Sequence, residues 1–270
     1  MSSSSILSPS NTEGGSSIVP ALPLHNRVVI WNALGAITAL SWLYLVRMPM
    51  TPRDLGSIGI LLTAAMSPHW AEVWLTFMMW AVMMVAMMVP SASPMIQTYA
   101  RIARARSGAS AYNVWILAVA YIVVWTLFSA AATAGQIVLQ RGALITSGFV
   151  TTPLVSGIIL ATAGLYQLTP LKQACLSQCR SPIGFFMTEW RDGGTGAFKM
   201  GLKHGAFCVG CCWMLMALLF VLGVMNLLWV AAISVFVLLE KVTPYGRAIA
   251  RITGVAMLVS GIALPFTAQY

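Results

Sequence analysis

All five cysteines of the chain fall between residues 175 and 212, and one histidine lies among them. Thiolates are soft ligands that select Cu(I), zinc or iron–sulfur clusters, whereas carboxylates suit magnesium and calcium. A group of thiols with one imidazole therefore predicts soft-metal binding or redox chemistry. The candidate metal ligands are Cys175, Cys179, His204, Cys208, Cys211 and Cys212.

The spacing of the last three cysteines predicts that they share one side of a helix. Together with His204, they fit within an arc of about 100° at helical periodicity. Cytosolic thiols are kept reduced, which favours ligand or redox roles over a disulfide framework. The alternative is that these residues only fill space, because a free cysteine packs well as a small hydrophobe.

A methionine-rich segment supplies a second kind of soft donor. Residues 77–90 read FMMWAVMMVAMMVP. At helical spacing, Met79, Met83 and Met87 lie on the same side as the polar residues Glu72 and Thr76, and the valines lie on the opposite side. We expect the methionine side to face the protein interior and the valines to face lipid. Thioethers are neutral ligands for Cu(I), although methionine stripes also serve as adaptable packing. The further candidate ligands are Met79, Met83, Met87 and Met88.

The elements that carry these residues are predicted to be transmembrane helices. Of 270 residues, 59% are apolar and only 8% are charged, against roughly 25% charged residues in an average soluble domain. This excludes an ordinary soluble domain, a disordered chain and a collagen-like chain. A nucleic-acid partner is also disfavoured, because the net charge of +9 is spread over short segments between apolar runs. The predicted class is all-α, a polytopic helical bundle surrounded by membrane lipid.

Seven apolar runs are candidate spans, since a helix needs roughly 20 apolar residues to cross the hydrocarbon. The fourth and sixth runs are short, so six spans is the alternative. Residues 1–26 are predicted to be a disordered polar tail, 27–270 a single transmembrane domain, and 55–66 an interfacial segment. The candidate spans are about 28–46, 71–89, 112–139, 153–168, 205–224, 226–239 and 249–265.

The basic residues indicate the orientation of this bundle. With seven spans, twelve Lys and Arg residues lie on the side of the N-terminus and three on the other side. Because cytoplasmic loops carry the excess of Lys and Arg, the N-terminus is predicted to be inside and the C-terminus outside. The cysteine-containing loop at 169–203 is then cytoplasmic. Glu240 and Lys241 are expected to form an ion pair with each other at the membrane edge.

Four stretches resemble a bacterial family of metal-binding integral membrane proteins that was long catalogued as a domain of unknown function. They are AMMVPSASP at 86–94, GLYQLTPLKQACLSQCRSP at 164–182, GAFKMGLKHGAFCVGCCWMLM at 196–216, and GVMNLLWVAA with LLEK at 223–241. The resemblance implies a copper chaperone of the bacterial plasma membrane that helps to metallate a copper oxidase of the tyrosinase or polyphenol-oxidase type. Carried over by position, it implies metal roles for the five cysteines and His204, with Met87 and Met88 as a second element.

The sequence favours binding over catalysis. It contains no Ser/His/Asp set, no glycine-rich phosphate loop and no dinucleotide fingerprint, so we predict that the chain is not an enzyme. The leading hypothesis is a multi-pass protein that binds Cu(I) and hands it on by ligand exchange, with zinc and iron–sulfur binding as variants. One alternative is a membrane thiol–disulfide oxidoreductase, because a CxxC pair on a helix can cycle between dithiol and disulfide. The other is a structural membrane subunit without metal.

Overall fold

The computed structural model describes residues 24–47, 68–107, 111–144, 152–224 and 226–267, and within these ranges the chain is helical without strands. The all-α prediction is therefore confirmed. The expected interfacial segment 55–66 and residues 1–23 of the expected tail lie outside these ranges. The helices are α1 (Leu24–Arg47), α2 (Pro68–Ser107), α3 (Ala111–Arg141), α4 (Pro153–Leu168), α5 (Pro170–Arg180), α6 (Pro182–Glu189), α7 (Gly193–Ala217), α8 (Leu219–Leu222), α9 (Leu227–Val242) and α10 (Gly246–Thr267).

The number of helices that can cross a membrane is smaller than predicted. By length and composition, the described residues contain five such helices: α1, α2, α3, α7 continued by α8, and α10. A sixth span results if α4 and α5, which meet at a bend of 66°, count as one. The predicted count of seven was wrong because α4 and α9 have only 16 residues each. Helices of that length are about 24 Å long, shorter than a hydrocarbon core of about 30 Å.

Two helix pairs approach closely at glycines. Gly201 and Gly205 of α7 lie against α3, where a Cβ added to Gly205 would meet the Val124 side chain at 2.9 Å. In the second pair, α4 and α10 run antiparallel, and a Cβ on Gly164 would lie 2.6 Å from the carbonyl oxygen of Gly254. Small residues allow such close backbone approach between membrane helices. The α3–α7 contact fixes the helix that carries three of the cysteines.

Two prolines lie inside α2, at the level of the methionine segment. Pro90 and Pro94 lack the N–H groups that would bond the carbonyls one turn earlier. The Pro90 carbonyl, which has no backbone donor because Pro94 lacks an N–H, accepts a hydrogen bond from Ser93 Oγ at 2.8 Å. Ser91 Oγ also donates to the Met88 carbonyl at 2.9 Å. Such side-chain donors let a membrane helix tolerate proline.

The expected cysteine-containing loop at 169–203 is helical over most of its length. It comprises α5, α6 and the beginning of α7. Pro170 and Pro182 occupy first-turn positions in α5 and α6, where a missing N–H costs no hydrogen bond. Thr169 caps α5, because its side chain accepts a hydrogen bond from the backbone N–H of Lys172. The helix that carries Cys175 and Cys179 is therefore a defined element.

Candidate metal centre

Three thiols from two helices converge at one point. The Sγ atoms of Cys179 on α5 and of Cys208 and Cys211 on α7 all lie within 4.8 Å of one another. The Cys179 and Cys211 sulfurs are 3.9 Å apart. Three sulfurs bound to one ion at about 2.3 Å are about 4 Å apart, so the spacing fits a single soft cation. We call Cys179, Cys208 and Cys211 the three-thiol cluster.

Polar contacts on both sides of its cysteines hold α5, together with the end of α4, against α9 and the residue that follows it. Lys172 Nζ lies 2.8 Å from Glu240 Oε2, and these side chains are 0% and 2% exposed. Gln167 Nε2 donates to the other oxygen of Glu240 at 3.1 Å. Beyond the cysteines, Arg180 Nη2 donates to the Thr243 carbonyl at 2.6 Å. These contacts fix the position of Cys179 relative to α7.

Cys208 lies at the centre of a hydrogen-bond network that the sequence reasoning missed. Its Sγ is 3.0 Å from the Tyr121 hydroxyl of α3 and accepts a hydrogen bond of 3.0 Å from Lys241 Nζ of α9. Lys241 also donates to Ser91 Oγ of α2 at 2.9 Å. The network thus ties the thiol to three further helices.

The expected ion pair between Glu240 and Lys241 is wrong. Neighbouring residues on α9 point to different partners, because successive side chains on a helix are about 100° apart. Glu240 pairs with Lys172, and Lys241 reaches Cys208. Both residues are buried. One sequence feature could have identified Lys241 as a candidate site residue: it is a charged residue that continues an otherwise apolar run.

Two of the predicted cysteine ligands lie outside the three-thiol cluster. Cys212 is buried, and its Sγ donates to the carbonyl oxygen of Cys208 at 2.8 Å. Cys175 is half-buried, and its Sγ lies against Gly210, where an added Cβ would meet it at 2.9 Å. The carbonyl of Gly210 also accepts a hydrogen bond from the Tyr166 hydroxyl. A ligand role for Cys212 and Cys175 stays a prediction.

His204 is buried one helical turn before Cys208 but is not part of the cluster. Its ring lies between aromatic rings, with centroid distances of 6.0 Å to Tyr121 and 5.3 Å to Phe185. Among the described residues, its Nδ1 atom has no hydrogen-bond partner. Its predicted role as a ligand is therefore untested by this arrangement.

The methionine side of α2 faces the interior as predicted. Met79, Met83, Met87 and Met88 are all buried. On the opposite side Val82 and Val85 are half-buried, but Val89 is buried rather than directed at lipid. Met88 contacts the cysteine network: its carbonyl accepts from the Tyr121 hydroxyl at 3.3 Å, and its Sδ is 4.0 Å from Ser91 Oγ.

The comparisons with known proteins agree with a soft-metal site. A protein-family model described as PpoB2, copper chaperone, matches residues 77–264. The matched range contains the three-thiol cluster, the Cys208 network and the methionine side of α2. No curated protein and no solved structure is significantly similar to the chain.

Proposed function

We propose that this chain, which belongs to the PpoB2 family of copper chaperones, is a multi-pass membrane protein that binds copper as Cu(I) in the three-thiol cluster and transfers it to a copper enzyme. The observation that carries the proposal is the convergence of Cys179, Cys208 and Cys211 within 4.8 Å. Thiolates select Cu(I), zinc or iron–sulfur clusters. Zinc and an iron–sulfur cluster are disfavoured because both typically take four protein ligands.

Transfer requires a ligand through which the ion can enter and leave. Cys179 is the more exposed member of the cluster, whereas Cys208 and Cys211 are buried. We propose that an incoming Cu(I) binds Cys179 first and then exchanges onto the buried thiols. Met88, Met87, Met83 and Met79 would offer weaker thioether donors along α2. Ligand exchange of this kind moves the ion without a redox step.

The proposed setting follows from the sequence. The apolar helices support a membrane location, and we propose a bacterial plasma membrane because the resemblance noted in the sequence implies it. We also propose that the cysteine-containing side faces the cytoplasm, which requires the bent pair of α4 and α5 to form one span. The proposed recipient is an oxidase of the tyrosinase type, in keeping with the family resemblance. The chain binds and transfers the ion and is not proposed to catalyse a reaction.

Copper content tests this function directly. The full chain is purified in detergent under reducing conditions and loaded with Cu(I). Gel filtration removes unbound metal, and the protein is then analysed for copper, zinc and iron. We expect about one tightly held copper per chain, lost in Cys208→Ser and Cys211→Ser and retained in the matched control Cys175→Ser. Incubation of the loaded protein with a copper-free tyrosinase-type enzyme should restore phenol oxidation. Equal copper in the wild-type chain and the Cys208→Ser/Cys211→Ser variant would exclude the proposed site.

A thiol–disulfide oxidoreductase is the second candidate, because the Cys179 and Cys211 sulfurs are 3.9 Å apart and a small approach would allow a disulfide. This function predicts that Cys179, the more exposed thiol, attacks a disulfide of a protein substrate and releases one substrate sulfur as a thiolate. The resulting mixed disulfide should be trapped when Cys211→Ser removes the thiol that would resolve it. It also predicts no retained copper. The two candidates thus give opposite results in the same preparation.

A further inference from the structure

Lys241 is a buried cation whose contacts differ from those of the other buried lysine. Its side chain is 7% exposed, and Nζ donates to Ser91 Oγ and to Cys208 Sγ. Lys172 has a carboxylate partner in Glu240 at 2.8 Å. Within the described part of the chain, the other ion pair joins Lys203 to Glu189, and no carboxylate pairs with Lys241.

The placement of this charge matters once a metal is bound. A thiol binds a metal as the thiolate, so a loaded cluster places a permanent anion 3.0 Å from the Lys241 ammonium group. The same ammonium group repels the bound cation. The attraction between the Cys208 thiolate and the Lys241 ammonium group is the same for every bound metal. The repulsion between Lys241 and the metal ion grows with the charge of the ion.

We propose that Lys241 makes the three-thiol cluster select by cation charge, so that it accepts monovalent soft ions and disfavours divalent ones such as zinc. The inference rests on the proposed function and names its ligand class: a monovalent d¹⁰ cation, Cu(I) or its redox-inert substitute Ag(I). Lys241 acts through the electrostatic field at the site and is not itself a ligand.

The expected size of the selection follows from the distance. A cation bound to Cys208 at about 2.3 Å lies at most about 5 Å from Lys241 Nζ. At an effective dielectric constant of about 20, one additional unit of charge at that distance weakens binding by about 200-fold. The cluster also offers three ligands where zinc prefers four. That factor does not depend on Lys241, so a variant of Lys241 isolates the charge effect.

The test compares two ions on the same protein. Full-length wild type and Lys241→Gln, which is neutral and can still donate hydrogen bonds, are titrated in detergent with Ag(I) and with Zn(II) against competing chelators. The readout is the ratio of the two dissociation constants, because factors that both ions share cancel in it. Lys241→Arg keeps the charge, and Lys203→Gln removes an exposed lysine whose side chain is 47% accessible.

We expect Lys241→Gln to reduce the preference for Ag(I) over Zn(II) by about 200-fold, while Lys241→Arg and Lys203→Gln stay within about threefold of wild type. If Lys241→Gln does not fold, Lys241→Leu gives the same comparison with a purely apolar side chain. An unchanged ratio in a folded neutral variant that binds both ions would overturn the charge selection and leave the proposed copper site intact. A wild-type chain that binds neither ion would overturn the proposed function and this inference with it.

Discussion

The buried ion pair between Lys172 and Glu240 provides a direct test of how α5 is held in place. Their closest atoms are 2.8 Å apart, and the side chains are 0% and 2% exposed. At an effective dielectric constant of about 20, the attraction between two such charges is about 6 kcal/mol. Removing both charges from water costs several kcal/mol per ion. The pair therefore adds little net stability, but the loss of either partner alone leaves an uncompensated buried charge and is strongly destabilising.

This balance predicts different effects for single and double replacements. Lys172→Leu leaves a buried carboxylate whose described side-chain partner is Gln167, and Glu240→Leu leaves a buried ammonium group. We expect each single variant to lose about 3–5 kcal/mol of the free energy of unfolding. The double variant Lys172→Leu/Glu240→Leu removes both charges and should lie within about 1 kcal/mol of wild type.

The assay is reversible unfolding in detergent, followed by circular dichroism and by copper retention. A matched control is the exposed pair of Lys203 and Glu189, which is 47% and 28% accessible. Lys203→Leu should cost less than about 1 kcal/mol, because exposed pairs contribute little. The single variants should also hold copper more weakly, since α5 carries Cys179. Two results would contradict the predicted dependence of Lys172 and Glu240 on each other. In one, the single variants lose no more unfolding free energy than Lys203→Leu; in the other, the double variant loses the sum of the two single losses.

Three further predictions concern packing and polar groups elsewhere in the bundle. Gly164→Leu should lose about 1–3 kcal/mol of unfolding free energy, because the added side chain overpacks α4 against α10. Gly135 has no neighbour within 4 Å, so Gly135→Leu should show no such loss when the two variants are compared by thermal unfolding. Trp80→Phe removes the 2.7 Å hydrogen bond to the buried Gln136 side chain and should cost about 1–3 kcal/mol in the same assay, and adding Gln136→Leu should recover part of that loss. His204→Phe should keep the copper stoichiometry of wild type and change stability by less than about 1 kcal/mol. The imidazole that it removes contains a buried nitrogen without a hydrogen-bond partner among the described residues. Copper loss in this variant would show that His204 is a ligand.

The features of single helices were predictable from the sequence. Periodicity correctly gave an all-α chain and a buried methionine side on α2, because both depend only on residues within one helix. Helical periodicity also placed Cys208, Cys211 and Cys212 on one side of a helix. It could not show that Cys212 bonds the Cys208 carbonyl while the other two thiols meet Cys179.

The features that join different helices were not predictable. Tyr121, Ser91 and Lys241 are far apart in the chain. Tyr121 and Ser91 look ordinary in their own segments, and the charge of Lys241 after an apolar run did not indicate its partner. They contact one another or Cys208 only because α2, α3, α7 and α9 pack together. The span count failed for a different reason. The predicted runs at 153–168 and 226–239 correspond to α4 and α9, but they were counted as spans although helices of 16 residues are shorter than the hydrocarbon core.

The most direct test of the central claim is X-ray absorption spectroscopy at the copper edge on the Cu(I)-loaded full-length protein. The three-thiol cluster predicts a Cu(I) edge with about three sulfur neighbours at about 2.3 Å, and fewer sulfurs per copper in Cys179→Ser. A first shell of nitrogen and oxygen atoms, or an identical sulfur shell in the Cys179→Ser/Cys208→Ser/Cys211→Ser variant, would contradict the three-thiol cluster as the copper site.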